Sequence, residues 1–133
     1  MKRTSFILLL GVYGFCHAEP APDEPCSPIN MDSQAVYECS KLKVKSADTA
    51  INKAYKELNK QIDFDYGTDP LLGEKLKGHI KQSQRAWIKL RDENCTIESF
   101  IISPESQAFE AIKNYCLARE SDSRSEYLKS LKF

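Results

Sequence analysis

The sequence has no apolar run long enough to cross a bilayer, no CxxC unit, no GxSxG elbow and no excess of either charge: 19 basic residues face 19 acidic ones in 133. Each absence removes a class of protein. A transmembrane helix takes about 20 consecutive apolar residues, and the longest stretch here, Phe6 to Phe15, has ten. Without CxxC, a structural zinc site lacks its usual ligand spacing. A nucleic-acid binder normally carries a basic excess. The missing elbow removes the common serine-hydrolase arrangement. Turn residues are sparse, with five glycines and six prolines, four of those between Pro20 and Pro28. No segment alternates with period two, so a β protein is excluded as well. The chain length suits one domain.

What is present begins with a targeting pattern. Met1-Lys2-Arg3 is basic, Phe6 to Phe15 is apolar, and Cys16-His17-Ala18 places small residues where a signal peptidase reads them. Residues 1–18 therefore read as a secretory signal peptide cut after Ala18. Phe15 stands where a lipobox requires a small residue, which disfavours lipid attachment at Cys16. Cleavage leaves 17 basic and 19 acidic residues, a net charge of −2, and four of the five cysteines. An even cysteine count in an exported chain reads as two disulfides. The expected location is periplasmic or secreted, with no stable membrane insertion after cleavage.

Residues 19–31 form an extended, proline-rich lead, and 32–133 form a helical domain. Asp32 to Ile62 contains neither proline nor glycine, and Val44, Ile51, Tyr55, Leu58 and Ile62 recur at helical spacing. This is one long helix or two joined near Ser46. Asp63 to Pro70 is a turn-rich break. Leu71 to Asn94 is the next helix, with Leu72, Leu76, Ile80, Trp87 and Leu90 as its apolar set; Gly73 and Gly78 weaken it by roughly 1 kcal/mol each relative to alanine. Ser103-Pro104-Glu105 predicts the start of a further helix, with serine as cap and proline at the first position. Phe109, Ile112, Cys116, Tyr127, Leu128 and Leu131 carry it to the C-terminus, and Ser121-Asp122-Ser123 is positioned to bend or interrupt it. The fold class is all-α: a small bundle of three or four helices, antiparallel neighbours, two disulfide staples. Three cysteine pairings are open in principle. Local pairing, Cys26–Cys39 and Cys95–Cys116, needs the least chain contortion.

Gln84, Trp87, Arg91 and Cys95 share one helix face with Ile80, because their separations are three, four and four residues. On the first helix Asp48, Asn52 and Tyr55 likewise line up. In an antiparallel hairpin, Asp48 comes level with Arg91, and Asn52 with Gln84. The expected result is a buried or half-buried polar network walled by Trp87 and Tyr55, acting as an internal lock on helix register.

The string Gln84-x-x-Trp87-x-x-x-Arg91-Asp92-x-x-Cys95 resembles the signature of the LprI-like family of small exported bacterial proteins, which is named for a lysozyme inhibitor. Gln34 and Cys39 resemble its first helix motif; Ala47-Asp48, Asn52, Tyr55 and Leu58 its second stretch; Cys116, Ser121 and Arg124 its final element. The resemblance covers Cys26 to Leu131. Ile51 replaces the usual leucine and Ser121 the usual threonine, both small changes. The namesake is a lipoprotein and this chain has no lipobox, so membrane anchoring is not carried over. The resemblance implies an exported, non-enzymatic protein that binds and sterically blocks a lysozyme-type muralytic enzyme. An envelope interaction or immunity module with another protein partner is the alternative.

No catalytic residue, metal site or cofactor is expected. His79 is the only histidine after Ala18, and disulfide formation leaves no thiol to pair with it. Asp63 to Glu74 has the length of a calcium loop but places Thr68 where glycine is required and Pro70 inside the loop. Its expected role is different. Asp63, Asp65, Tyr66 and Asp69, beside Phe64, put acidic and aromatic groups on an exposed tip that would attract a basic protein partner.

Overall fold

The computed structural model describes Cys26, Ser27, Ile29 and residues 32–133. The signal-peptide segment 1–18 and most of the lead 19–31 lie outside the described residues. Three helices follow in order: α1 (Ser33–Asp65), α2 (Pro70–Ser99) and α3 (Gln107–Ser130). No strand occurs among the described residues.

Each helix begins on a side-chain cap. Asp32 accepts from the Ala35 N–H at 2.8 Å, Asp69 from Leu72 at 3.1 Å, and Ser106 from Phe109 at 3.1 Å. Such caps satisfy N–H groups that have no partner within the helix, each contributing about 1 kcal/mol. Pro70 fills the first position of α2, where its missing N–H costs nothing. α1 runs unbroken through Ser46, which is exposed and offers the backbone no competing bond. α2 continues past Asn94 to Ser99, because Cys95 and Ser99 face inward and extend its buried stripe.

α3 starts three residues later than the serine-proline-glutamate signal predicts. Ser106 N–H bonds back to the Ser103 carbonyl at 3.4 Å, and Glu105 has φ 67°. Proline fixes φ at the second turn position and Glu105 is left-handed at the third, the arrangement of a type II turn. That turn reverses the chain before Ser106 caps α3. Ser121-Asp122-Ser123 does not interrupt α3, since Ser121 and Ser125 are buried against the other helices.

α1 and α2 are antiparallel, as are α2 and α3. The dominant interface is nevertheless between α1 and α3, which run parallel. Gln34 meets Gln107 at 2.6 Å and Asn114 meets Ser40 at 3.1 Å, so residue numbers rise together along the two helices. This interface is lined by small residues at seven-residue spacing: Ser40, Ala47 and Ala54 on α1, Ala111, Ala118 and Ser125 on α3. Seven-residue periodicity keeps two parallel helices in register. Consecutive helices are antiparallel as expected, which makes α1 and α3 parallel; the small residues of their seam do not stand out in the sequence as an apolar stripe.

Below the seam, Ile51, Leu58, Ile62, Ile80 and Leu128 form the core, with Tyr55, Tyr66, Leu76, Trp87 and Leu131 packed around it. Burial of each such aliphatic side chain contributes about 1.5–3 kcal/mol. Leu72 and Leu90, expected on the apolar face of α2, are exposed; the inward face is instead Gly73, Ile80, Trp87, Arg91 and Cys95. Gly73 lets the helices approach closely there, since a Cβ would lie 3.0 Å from that of Tyr66 and crowd it. The disulfides are Cys26–Cys39 and Cys95–Cys116, closing separations of 13 and 21 residues. The first fastens the lead to the start of α1 and the second ties the end of α2 to α3. Each is worth about 3 kcal/mol in the chain-entropy model.

Candidate functional site

Two features stand out: a polar cluster at the waist of the bundle, and the tip where α1 turns into α2.

The waist is organised by Arg91. Its side chain is only 13% exposed and lies 3.4 Å from the Asp48 carboxylate and 2.8 Å from that of Asp92. It donates to Ser121 Oγ at 2.8 Å, and its guanidinium lies 5.2 Å from the Trp87 ring centroid. One cation therefore joins all three helices. Ser121 is buried, so without Arg91 its hydroxyl would be left with no partner in an apolar surrounding. Tyr55, expected as a second wall of this network, is half-buried and packs against the hydrophobic core.

The expected Asn52–Gln84 pair does not occur. Asn52 is exposed, and Gln84 Oε1 accepts from Arg124 Nε at 3.1 Å. The physical reason is α3. It packs along α1 and presents its own donors to α2, supplying the partners that a two-helix hairpin would assign to α1. Arg124 also donates to Ser83 Oγ at 2.9 Å. Its guanidinium lies 5.5 Å from the Trp87 ring and 4.7 Å from that of Tyr127. Trp87 thus has two arginines within cation–π distance. Burial pushes Arg124 below the ordinary arginine value, and Tyr127 pulls the other way; the group stays cationic at neutral pH. Reasoning from α1 and α2 alone missed Arg124 and Ser121 as members of the cluster. Their three-residue spacing on α3 places both on one face, which was the available signal. The hydroxyl of Ser121 and the carboxylates of Asp48 and Asp92 are all engaged by Arg91.

The tip is different in kind. Phe64 is 82% exposed and Leu71 is 84% exposed, two large apolar side chains that folding leaves in water. Asp63, Asp65 and Asp69 are exposed around them. Asp63 pairs with Lys77 at 2.6 Å, and Asp65 accepts from Gln61 at 2.7 Å. Asp69 caps α2. Tyr66 turns inward, half-buried against Gly73 and the core. Of the four residues expected to meet a partner, Asp63 and Asp65 are on the outer surface, Asp69 holds the turn while remaining exposed, and Tyr66 props the tip from beneath. Between Tyr66 and Asp69 the turn closes on a 3.0 Å backbone hydrogen bond.

No helix among the described residues is long and apolar enough to cross a membrane. Among the described residues, three helices, one dominant parallel seam and two disulfides define a class: a small all-helical protein stapled by disulfides. The family model of the lysozyme inhibitor LprI matches residues 26–128, and the chain belongs to this family. A crystal structure of a DUF1311 family protein from Pseudomonas putida KT2440 is similar at a TM-score of 0.67 and 31% identity. The match covers 76% of this chain and 93% of that one. No curated protein matches the chain.

Proposed function

We propose that this protein is exported with residues 1–18 removed, acts in the periplasm or outside the cell, and inhibits a lysozyme-type muralytic enzyme by occupying its substrate cleft. Family membership supports the target class. The observation that carries the mode of binding is the tip, where Phe64 and Leu71 stand exposed among Asp63, Asp65 and Asp69. Exposed apolar side chains ringed by charge are the makings of an anchored interface. The ring is acidic, and lysozymes of the familiar type are basic, so encounter would be steered by attraction. Blocking is steric: the protein contributes surface and charge, not a reacting group.

The steering claim has its own test. Association with a basic lysozyme is followed by stopped-flow or biosensor kinetics at rising salt. The on-rate should fall steeply as the screening length shrinks from ~10 Å at 0.1 M to ~3 Å at 1 M, and Asp65→Asn should lower it further at low salt. An on-rate indifferent to salt would refute steering by the acidic tip.

The alternative, an envelope interaction module with a different protein partner, is favoured by one observation. At the opposite end of α2, Ile97, Phe100 and Ile101 are also exposed. Affinity capture from envelope extract that depends on these three residues, with no lysozyme inhibition, would select that reading.

A further inference from the structure

Arg124 has no anionic partner among the described residues. Its hydrogen-bond partners are the neutral Gln84 and Ser83, and none of the ion pairs among the described residues includes it. Arg91 has two carboxylates and Arg119 has two. Arg124 is therefore a half-buried cation with no carboxylate partner among the described residues. Two aromatic rings and two neutral acceptors hold the guanidinium, leaving Nη1 with no hydrogen bond among the described residues.

The same arginine lines a groove between α2 and the end of α3. Leu76, Ile80, Leu128, Leu131 and Phe133 form its apolar walls. Ser83, His79 and Tyr127 complete the rim. The groove is about 190 Å³ and open to solvent on one side. An apolar cavity of about 150 Å³ holds a benzene ring, so this one accommodates a short aliphatic chain of about six to eight carbons. Apolar walls with one unmatched cation on the lining specify a ligand with one anionic head and one apolar tail.

We propose that this groove binds an aliphatic monocarboxylate, with the carboxylate on the Arg124 guanidinium and the tail along Leu76, Leu131 and Phe133. A planar carboxylate matches the fork of an arginine. The C-terminal carboxylate of a partner peptide shares the head chemistry but also brings an α-amide. Leu76–Ser83 and Arg124–Leu128 are helical, their backbone acceptors committed within α2 and α3, so they offer that amide little. A fatty-acid-like molecule needs no such partner. This site is separate from the tip and does not depend on the inhibitor reading.

Trp87 is the only tryptophan and lies beside Arg124, so it reports occupancy. Sodium octanoate and octanol are titrated separately into the chain beginning at Glu19, with Trp87 fluorescence and calorimetry read together. Octanoate should give a saturable change, and octanol, which keeps the tail without the charge, should bind about tenfold more weakly. Arg124→Gln should weaken octanoate by a similar factor and leave octanol unchanged. Phe133→Asp, at an exposed edge where folding is not at stake, should weaken octanoate as well and keeps the test decisive if Arg124→Gln fails to fold. No saturable response to octanoate, equal binding of octanol, or an undiminished response in Phe133→Asp would overturn the proposal. So would N-acetyl-leucyl-leucine binding more tightly than octanoate, which would assign the groove to a peptide terminus.

Discussion

Replacing Arg91 by methionine removes the cation at the waist while keeping most of the side chain's length. The structure lets the loss be apportioned. The Asp48 contact is long, 3.4 Å, and the Asp48 side chain is 48% exposed; such a pair is worth about 0.5 kcal/mol. The Ser121 bond is short, 2.8 Å, and its acceptor is buried. Breaking it strands a hydroxyl, at about 1–2 kcal/mol. Loss of the cation over Trp87 adds about 0.5–1 kcal/mol. Arg91→Met should therefore destabilise by about 2–3.5 kcal/mol, the parts being coupled rather than strictly additive. Urea unfolding followed by far-UV circular dichroism, with both disulfides intact, measures this directly. A double-mutant cycle separates the parts: Arg91 should couple to Ser121 by about 1 kcal/mol or more and to Asp48 by less. A loss below about 0.5 kcal/mol in Arg91→Met, or a stronger coupling to Asp48 than to Ser121, would refute the claim that Arg91 locks three helices through α3.

Other substitutions probe other parts of the bundle. Ser125 Oγ is buried with no hydrogen-bond partner, so Ser125→Ala should stabilise by about 1 kcal/mol in the same urea experiment. Gly78 has open space around it, whereas a Cβ at Gly73 would crowd Tyr66; Gly78→Ala should gain about 0.5–1 kcal/mol of helix stability while Gly73→Ala should lose stability. Hydrogen bonds from Arg119 hold Glu98 below the ordinary carboxylate value. A depressed pKa contributes stability above the unfolded value, near 4.3, and loses it as pH falls through the folded value. Glu98→Gln should thus be slightly less stable than the parent at neutral pH, the gap closing in acid; a gap that widens in acid would contradict the pairing.

Much of this architecture is legible in the amino-acid order, for identifiable reasons. The turn-rich stretch Asp63 to Pro70 marks the break between α1 and α2 by local chemistry, and the Gln84–Trp87–Arg91–Cys95 face follows from helical spacing. Local cysteine pairing follows from chain reach. The parallel α1–α3 seam was not legible, because alanines and serines carry little hydrophobic signal even when they set how closely helices approach. Nor was the delayed start of α3, since Ser103-Pro104 reads equally as a helix start or as the first half of a turn. The choice depends on Glu105 adopting a left-handed conformation that few non-glycine residues take. At the waist, the Asp48–Arg91 proximity follows from a two-helix hairpin, but the partners of Gln84 depend on a third helix that the hairpin argument leaves out. At the tip, burial of Tyr66 beneath Gly73 reflects close helix approach, which a list of turn residues does not convey.

The central claim is that the α1–α2 tip blocks a muralytic enzyme. The most direct measurement is the rate at which lysozyme clears a cell-wall suspension as the chain beginning at Glu19 is titrated in, beside a Phe64→Ser, Asp65→Asn, Leu71→Ser variant with an unchanged circular dichroism spectrum. The parent should inhibit to saturation and the variant should not. Undiminished clearance at a large molar excess of parent, or equal inhibition by the variant, would contradict the claim.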